Sequence, residues 1–234
     1  MEALFLSIRL ALTVSAILFV IGLPLAYWLT FSKWSGKFLI EAIVALPLVL
    51  PPTVLGFYLL IAMGSQGPLG RFWQSAFGHG LAFTFTGLVI ASVLYSLPFA
   101  VQPLAASFES VDRKLLDASS VLGAGRLRTF LRVILPLSIP GVISAIVLTF
   151  AHTLGEFGVV LMVGGNLAGA TRTVSIEIYD RVQSMDYAGA NQVALGLLIF
   201  SFVVLSIVYG VNRYFARNSG RNSGRRIWSP WPAK

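Results

Sequence analysis

Five long stretches of the chain contain no Lys, Arg, Asp or Glu, and they limit the possible fold more than any other feature. They are residues 10–32, 42–70, 72–108, 133–155 and 187–212. A helix needs about 20 mostly apolar residues to cross a bilayer, so each stretch is long enough for one crossing. With 56% hydrophobic and 11% charged residues, the chain has too much apolar surface for a single soluble core. We therefore predict an all-α, polytopic membrane helical bundle.

The charge-free stretches predict about five transmembrane helices. The expected bounds are 5–31, 38–63, 83–108, 137–162 and 190–212. The stretch 72–108 is too long for one helix, so Gly78, His79 and Gly80 are expected in a loop or a short re-entrant piece. The sequence also allows a sixth, partial span around 64–82.

The positive charges predict the orientation of these helices. With the amino terminus outside, the inside regions hold 13 of the 17 Lys and Arg residues, whereas the opposite orientation would reverse this bias. We therefore expect an external amino terminus and a cytoplasmic carboxyl terminus. The same topology explains the net charge of +8 better than nucleic-acid binding does, because the basic residues are spread over every inside loop.

The composition changes sharply near residue 213. Residues 1–212 are predicted to form one membrane domain, and 213–234 repeat Arg-Asn-Ser-Gly without an apolar pattern. Such a segment has nothing to bury, so we expect a basic, disordered cytoplasmic tail. The chain has no cysteine, which excludes disulfides and zinc–cysteine sites.

A short charged segment between the third and fourth predicted spans has the pattern of a capped helix. Asp112 suits the start of this helix, and Gly123 suits a left-handed turn at its end. A helix from Arg113 to Leu122 would be about 15 Å long. Pro136 fits the first turn of the next helix. The segment is therefore either a peg that enters a partner's cleft or an amphipathic connector on the lipid surface.

The same segment resembles the loop by which permeases of ABC importers contact their ATPase. That loop has the pattern Glu-Ala-Ala, three residues, Gly, nine residues, and Ile-x-Leu-Pro. The matching positions are Asp117, Ala118, Ser119, Gly123, Val133, Leu135 and Pro136, with Asp for Glu, Ser for Ala and Val for Ile. The resemblance implies a helix that couples this chain to a separate ATPase. ATP and Mg would bind that ATPase, and this chain would be a transport subunit with no cofactor and no enzymatic activity of its own.

The second predicted span contains an unusual cluster of prolines. Pro47, Pro51 and Pro52 each remove a backbone donor, which predicts a kink or break and free carbonyl groups. In a membrane such a defect must face protein or a wet cavity. These prolines and Thr53 are therefore candidates for the translocation path. A proline kink that only shapes the bundle is the alternative.

An acidic residue follows the fourth charge-free stretch. His152 and Glu156 are four residues apart and are expected to share one helical face. A buried acid is costly unless it is paired or wetted, so Glu156 is a candidate gate residue, with a satisfied structural pair as the equal alternative. Asn166 belongs to the same candidate region. A zinc site is not expected, because His79 is the only other histidine.

These motifs together resemble the permease subunit of the molybdate ABC importer family. The shared features are Leu-Pro before Pro-Pro-Thr, then Gly-Glu-Phe-Gly, Gly-Gly-Asn and Gly-x-Thr, over about residues 4–213. Sulfate permeases share the Gly-Glu-Phe-Gly region but are generally longer. The resemblance implies a type I importer in a bacterial inner membrane that carries molybdate, or equally tungstate. Its partners would be a second copy of this chain, two cytoplasmic ABC ATPase subunits and a periplasmic molybdate-binding protein.

Two other functional classes fit the sequence less well than an ABC importer permease. A proton-coupled secondary transporter could use Glu156 and His152, but the sequence shows neither inverted repeats nor further intramembrane ionisable groups. An intramembrane enzyme would need a catalytic cluster, and none is apparent. Hydroxyl groups suit a transported dianion better than a deep charged site does. The candidates are Thr53, Ser92, Tyr95, Ser96 and Thr149.

Overall fold

The computed structural model describes residues 2–223, and these residues form helices and connecting loops without any β-strand. The α-helices are α1 (Glu2–Phe31), α2 (Lys37–Val49), α3 (Pro52–Met63), α4 (Pro68–Phe77), α5 (Phe85–Glu109), α6 (Arg113–Val121), α7 (Arg126–Thr129), α8 (Leu135–Leu137), α9 (Ile139–Gly155), α10 (Gly158–Gly164), α11 (Val174–Gln183) and α12 (Tyr187–Ser223). A π-helical stretch, Phe130–Ile134, joins α7 to α8. The predicted all-α class is confirmed.

Within residues 2–223, three helices are long and apolar enough to cross a membrane by themselves. They are α1, α5 and the part of α12 from Tyr187 to Ile207. Two bent pairs raise the number of spans to as many as five: α2 with α3, bent by 112°, and Arg126–Leu137 with α9, bent by 74°. Between the spans, α4 has ten residues, which is too short for a crossing. The region 64–82 therefore contributes a short helix and a loop that includes Gly78, His79 and Gly80.

The core of the bundle lies where α1 and α5 pack along each other and against α9. Leu10, Val14 and Leu18 of α1 pack with Leu88 of α5 in one buried cluster. A second cluster, towards the carboxyl ends of these two helices, contains Phe108 of α5. In contrast, most of the apolar side chains of α12 whose exposure is described, between Tyr187 and Tyr209, are exposed. Such a helix is built to face lipid or another protein rather than the core.

The proline-rich second span is broken, as the sequence predicts. Pro47 lies inside α2 without ending it, but α2 stops at Val49 and α3 starts at Pro52. Leu50 and Pro51 between them have extended backbone angles. Proline cannot donate the hydrogen bond that would continue α2, and at the start of α3 this donor is not needed. The single span predicted for 38–63 is therefore two half-helices.

The fourth span ends earlier than predicted. A continuous helix over 137–162 was expected, but α9 stops at Gly155 and α10 begins at Gly158. Glu156 has extended angles, φ −65° and ψ 134°, so it does not share a helical face with His152 as predicted. The reason is local, since two glycines within four residues lower the helix propensity of this segment.

The last helix extends further than predicted. α12 continues through residue 212 to Ser223, so this part of the expected disordered tail is helical. No proline interrupts 187–223, so no residue in this range lacks the backbone donor that a helix needs. Residues 224–234 of the predicted tail lie outside the described residues. The division into a membrane domain and a tail remains a prediction.

Candidate functional site

The predicted peg is a capped helix with defined ends. Asp112 Oδ1 accepts a hydrogen bond of 2.9 Å from the Lys114 N–H at the start of α6. At the other end, Gly123 has φ +71°, and Gly123 N–H and Ala124 N–H donate to the carbonyls of Ser120 and Ser119 at 2.9 and 3.0 Å. This pair of bonds is a Schellman motif, which ends a helix with a left-handed residue. The nine residues of α6 give a peg about 14 Å long.

The peg is tied to the segment that follows it. Ser119 is buried, and its hydroxyl forms a 2.8 Å hydrogen bond with the Thr129 hydroxyl. Next to Thr129, the Phe130 ring makes edge contacts with Tyr27 of α1 and Phe108 of α5, at centroid distances of 5.2 and 5.9 Å. The loop that carries α6 is therefore connected to both central helices. A force on the peg would be transmitted to the bundle through these contacts.

The outer surface of the peg is available to a partner. Asp117 and Ala118 are exposed, and at the end of the peg Val121 and Leu122 are 87% and 84% exposed. Apolar side chains at the tip of a projecting helix suit insertion into an apolar cleft. The end of the predicted motif is placed differently: Val133 and Leu135 are half-buried and Pro136 is exposed.

The break between α2 and α3 lies against the break between α9 and α10. A Cβ added to Gly158 at the start of α10 would lie 2.6 Å from Cβ of Pro52 at the start of α3. One turn along α3, a Cβ on Gly56 would lie 2.8 Å from Cβ of Met162. Glycine therefore permits the close approach of α3 and α10. Around this junction Pro47 is half-buried, while Pro51, Pro52 and Thr53 are exposed.

A hydrogen-bonded cluster joins α5 to α9 near this junction. The Ser96 hydroxyl lies 2.9 Å from His152 Nδ1 and 3.0 Å from the Thr153 hydroxyl. The His152 ring stacks on Phe99 at 3.9 Å between centroids and lies 4.8 Å from the ring of Tyr95. His152 is thus held by a hydrogen bond on one nitrogen and by aromatic rings, which fits a structural link better than a mobile group.

Glu156 is deeply buried at the end of α9. The residue is only 4% exposed, and neither carboxyl oxygen has a hydrogen-bond partner among the described residues. The Ser92 hydroxyl and Tyr95 are its polar neighbours, but Ser92 does not reach hydrogen-bond geometry. The Ser92 and Thr149 hydroxyls are also buried without a partner in this part of the chain. A buried carboxyl without a partner is costly in a membrane protein, so Glu156 remains a candidate functional residue.

Asn166 lies apart from this cluster, in the loop between α10 and α11. Its side chain is exposed, accepts a 2.6 Å hydrogen bond from Arg172 Nε and donates a 3.0 Å bond to Asp180 Oδ1. Arg172 also approaches Asp180 at 3.8 Å. Asn166 therefore closes a loop, and the structure does not bring it together with Glu156. No group of three or more His, Asp or Glu in residues 2–223 is arranged to hold a metal ion.

Sequence reasoning missed three residues of these sites. Thr153 and Phe99 hold the Ser96–His152 link, and Thr129 holds the peg. Ser96 and Thr153 are 57 positions apart, so no local spacing could reveal that they touch. Thr129 gives no signal because a threonine in a polar loop has many possible roles.

The broken spans and the projecting capped helix define a class of membrane transport component. The chain matches the family model described as "Binding-protein-dependent transport system inner membrane component" over residues 19–220. This match covers most of the chain, and the chain belongs to that family.

Within this family, the chain is similar to permeases named for molybdenum and for sulfate transport. The chain is 50% identical over 216 residues to the molybdenum transport system permease protein ModB of Azotobacter vinelandii, covering 92% of this chain and 96% of that protein. It is 37% identical to ModB of Escherichia coli strain K12, covering 94% of this chain and 96% of that one. The sulfate transport system permease protein CysT of Salmonella typhimurium is 33% identical, covering 85% of this chain and 71% of that protein.

Solved structures show the same fold at low sequence identity. The MetNI methionine ABC transporter in an inward-facing conformation matches with a TM-score of 0.69 and 18% identity, covering 91% of this chain and 94% of that chain. A bacterial ABC transporter that imports alginate matches with a TM-score of 0.70 and 17% identity, covering 90% and 79%. These likenesses establish the fold of an ABC importer membrane subunit.

Proposed function

We infer that the chain is the membrane permease of an ATP-driven importer whose cargo is molybdate. The observation that carries this inference is the 50% identity to ModB of Azotobacter vinelandii over nearly the full length of both chains. Tungstate has the same charge and shape as molybdate and is expected to use the same route. The CysT likeness makes sulfate the second candidate, because it too is a tetrahedral dianion.

The coupling step is assigned to α6. A cytoplasmic ATPase that binds ATP and Mg would receive the peg, with Asp117 and Ala118 on its exposed surface and Val121 and Leu122 at its tip. Closure of two ATPase subunits would draw two such pegs together. Because Phe130 connects the peg loop to α1 and α5, this movement would rock the bundle.

The translocation path for the anion is assigned to the interface between two copies of this chain. Pro51, Pro52 and Thr53 lie exposed on one copy, beside the junction of the two broken spans. Two copies related by a two-fold axis could enclose these residues and match a two-fold ATPase. Glu156, buried between α9 and α10, would act as a gate that shapes the path without binding the anion directly. A periplasmic binding protein would deliver the oxyanion to this dimer.

Orientation can be tested because the chain has no cysteine. Ser120→Cys on α6 and Ser75→Cys on α4 place single thiols at exposed positions on the two predicted sides. In sealed, right-side-out membranes, an impermeant maleimide should label Ser75→Cys, and Ser120→Cys only after the membranes are opened. The reverse pattern would place the peg outside and end the ATPase assignment.

Transport can be tested by uptake in membranes that contain the candidate ATPase and binding protein. Labelled molybdate should accumulate only with ATP, and excess sulfate should compete weakly. Asp117→Arg should abolish uptake and ATPase association, because it reverses a charge on the exposed side of the peg. Glu2→Arg makes the same charge change at the amino end of α1, outside the peg. This control should retain both uptake and ATPase association. Equal competition by sulfate would shift the cargo to sulfate, and ATP-independent uptake would favour a secondary transporter.

A further inference from the structure

Two adjoining cavities lie between the carboxyl end of α1 and the loop that carries α6. The first, here called the head cavity, has a volume of about 550 Å³ and includes Lys33, Ser120 and Arg126 in its lining. The second, here called the tail groove, has a volume of about 340 Å³. It is lined by Leu23, Pro24, Tyr27, Arg126, Leu127 and Phe130. Tyr27 and Arg126 line both, so the two cavities adjoin at these side chains.

The head cavity is complementary to an anionic group. Lys33 and Arg126 contribute two positive charges, and no Asp or Glu lines this cavity. Neither cation makes an ion pair within residues 2–223. Tyr27 and Trp28 complete the wall, and such aromatic side chains are enriched at the membrane–water interface. The neighbouring cavity shares Lys33 and has mixed charge, because Glu109 and Asp117 line it together with Lys37 and Arg113.

The tail groove is complementary to a hydrocarbon chain. Apart from Arg126 at its boundary with the head cavity, its lining is apolar or aromatic. Pro24 and Leu127 are exposed along it, so the groove opens on the side of the bundle. A free phosphate or a nucleotide phosphate could use the head cavity but would leave this groove unused. An acyl chain would fill it.

We propose that the head cavity and the tail groove together bind one anionic phospholipid of the inner leaflet. Its phosphate lies beside Lys33 and Arg126, and one acyl chain lies along Leu23, Leu127 and Phe130. Basic pockets at the cytoplasmic ends of transmembrane helices bind anionic headgroups in this way. The lipid contacts both α1 and the peg loop, through Leu116 and Ser120, and so supports the position of the peg.

The test measures lipid held by the purified full-length chain. The chain is placed in nanodiscs of phosphatidylglycerol and phosphatidylcholine, released into mild detergent, and its retained lipids are counted by native mass spectrometry. The double variant Lys33→Gln/Arg126→Gln removes both positive charges of the head cavity. Its retention of phosphatidylglycerol should fall about fivefold for each charge removed. Arg128→Gln is the matched control, since Arg128 is exposed in the same short helix but does not line either cavity. Its retention should stay within about twofold of the parent, since a basic residue outside the cavity makes only a general surface contribution.

Two further experiments distinguish a bound lipid from other occupants of the cavities. Inorganic phosphate at the concentration of the lipid should not displace phosphatidylglycerol, and Leu127→Asn should weaken retention by making the groove polar. Unchanged retention in the double variant, or displacement by inorganic phosphate, would overturn the proposal. Loss of the lipid when the ATPase is added would assign the cavity to that partner and would overturn it as well.

Discussion

Gly158 lies against Pro52, and through this contact the breaks of two membrane spans meet. A Cβ on Gly158 would be 2.6 Å from the Pro52 Cβ and 3.5 Å from the Thr53 nitrogen. Half-helix ends that meet in the membrane interior must satisfy their free backbone groups with protein or water. The junction is therefore the place where this bundle combines irregular backbone with the buried carboxyl of Glu156.

We expect a methyl group at this contact to destabilise the bundle. Gly158→Ala should lower the free energy of unfolding by about 1–3 kcal/mol, because α3 and α10 must move apart. Gly155→Ala is the control, since nothing lies within 4 Å of its added Cβ. It should be neutral or slightly stabilising. Thermal unfolding in detergent measures both, and equal effects would show that the contact does not limit packing.

The end of the peg depends on a left-handed residue. Gly123→Ser should cost about 1 kcal/mol locally, because φ +71° is unfavourable for a residue with a Cβ. The amides of residues 123 and 124 should then exchange hydrogen about fivefold faster. Gly125→Ser is the control, because its backbone angles, φ −68° and ψ 163°, suit a serine that caps α7. Equal protection in the two variants would contradict the assigned role of the Schellman motif.

The Ser96 hydroxyl should contribute to the stability of the α5–α9 contact. Ser96→Ala removes the bonds to His152 and Thr153, and we expect a loss of about 1–3 kcal/mol because polar groups are left unpaired in the interior. Ser144→Ala on α9 is the control, since its exposed hydroxyl bonds only the Pro140 carbonyl. That change should stay within about 0.5 kcal/mol. Unfolding by denaturant would distinguish the two, and a neutral Ser96→Ala would mean that the cluster adds no stability.

The junction between α11 and α12 should be sensitive to acid. The Gly189 N–H and then the Arg181 guanidinium hold the pKa of Asp186 below its usual range. Because the folded pKa is lowered, this stabilisation is present above the ordinary value, about 3.9, and is lost as pH falls through the folded pKa.

Asp186→Asn tests this assignment. The variant should have a lower Tm than the parent near pH 7, and the two Tm values should converge as the pH falls below the folded pKa of Asp186. Glu109→Gln replaces another exposed carboxylate and should not reproduce this convergence. A constant difference between parent and Asp186→Asn at every pH would refute the assignment.

Local features of the fold were predictable because neighbouring residues decide them. The α6 cap at Asp112, the left-handed Gly123 and the break beside Pro51 each follow from the conformational limits of one or two residues. The end of α9 at Gly155 was missed because apolar composition continues past it, although two glycines weaken the helix there.

The sequence alone determined the membrane class, the positions of the apolar spans and the capped peg, because hydropathy and backbone propensity act over a few residues. Only the tertiary structure decided which distant groups touch: Gly158 with Pro52, Ser96 with His152, and Ser119 with Thr129. It also showed that Glu156 leaves the helix and is buried without a partner in the described chain. These contacts depend on how whole helices pack, and packing is set by the summed shape of many side chains rather than by any local pattern.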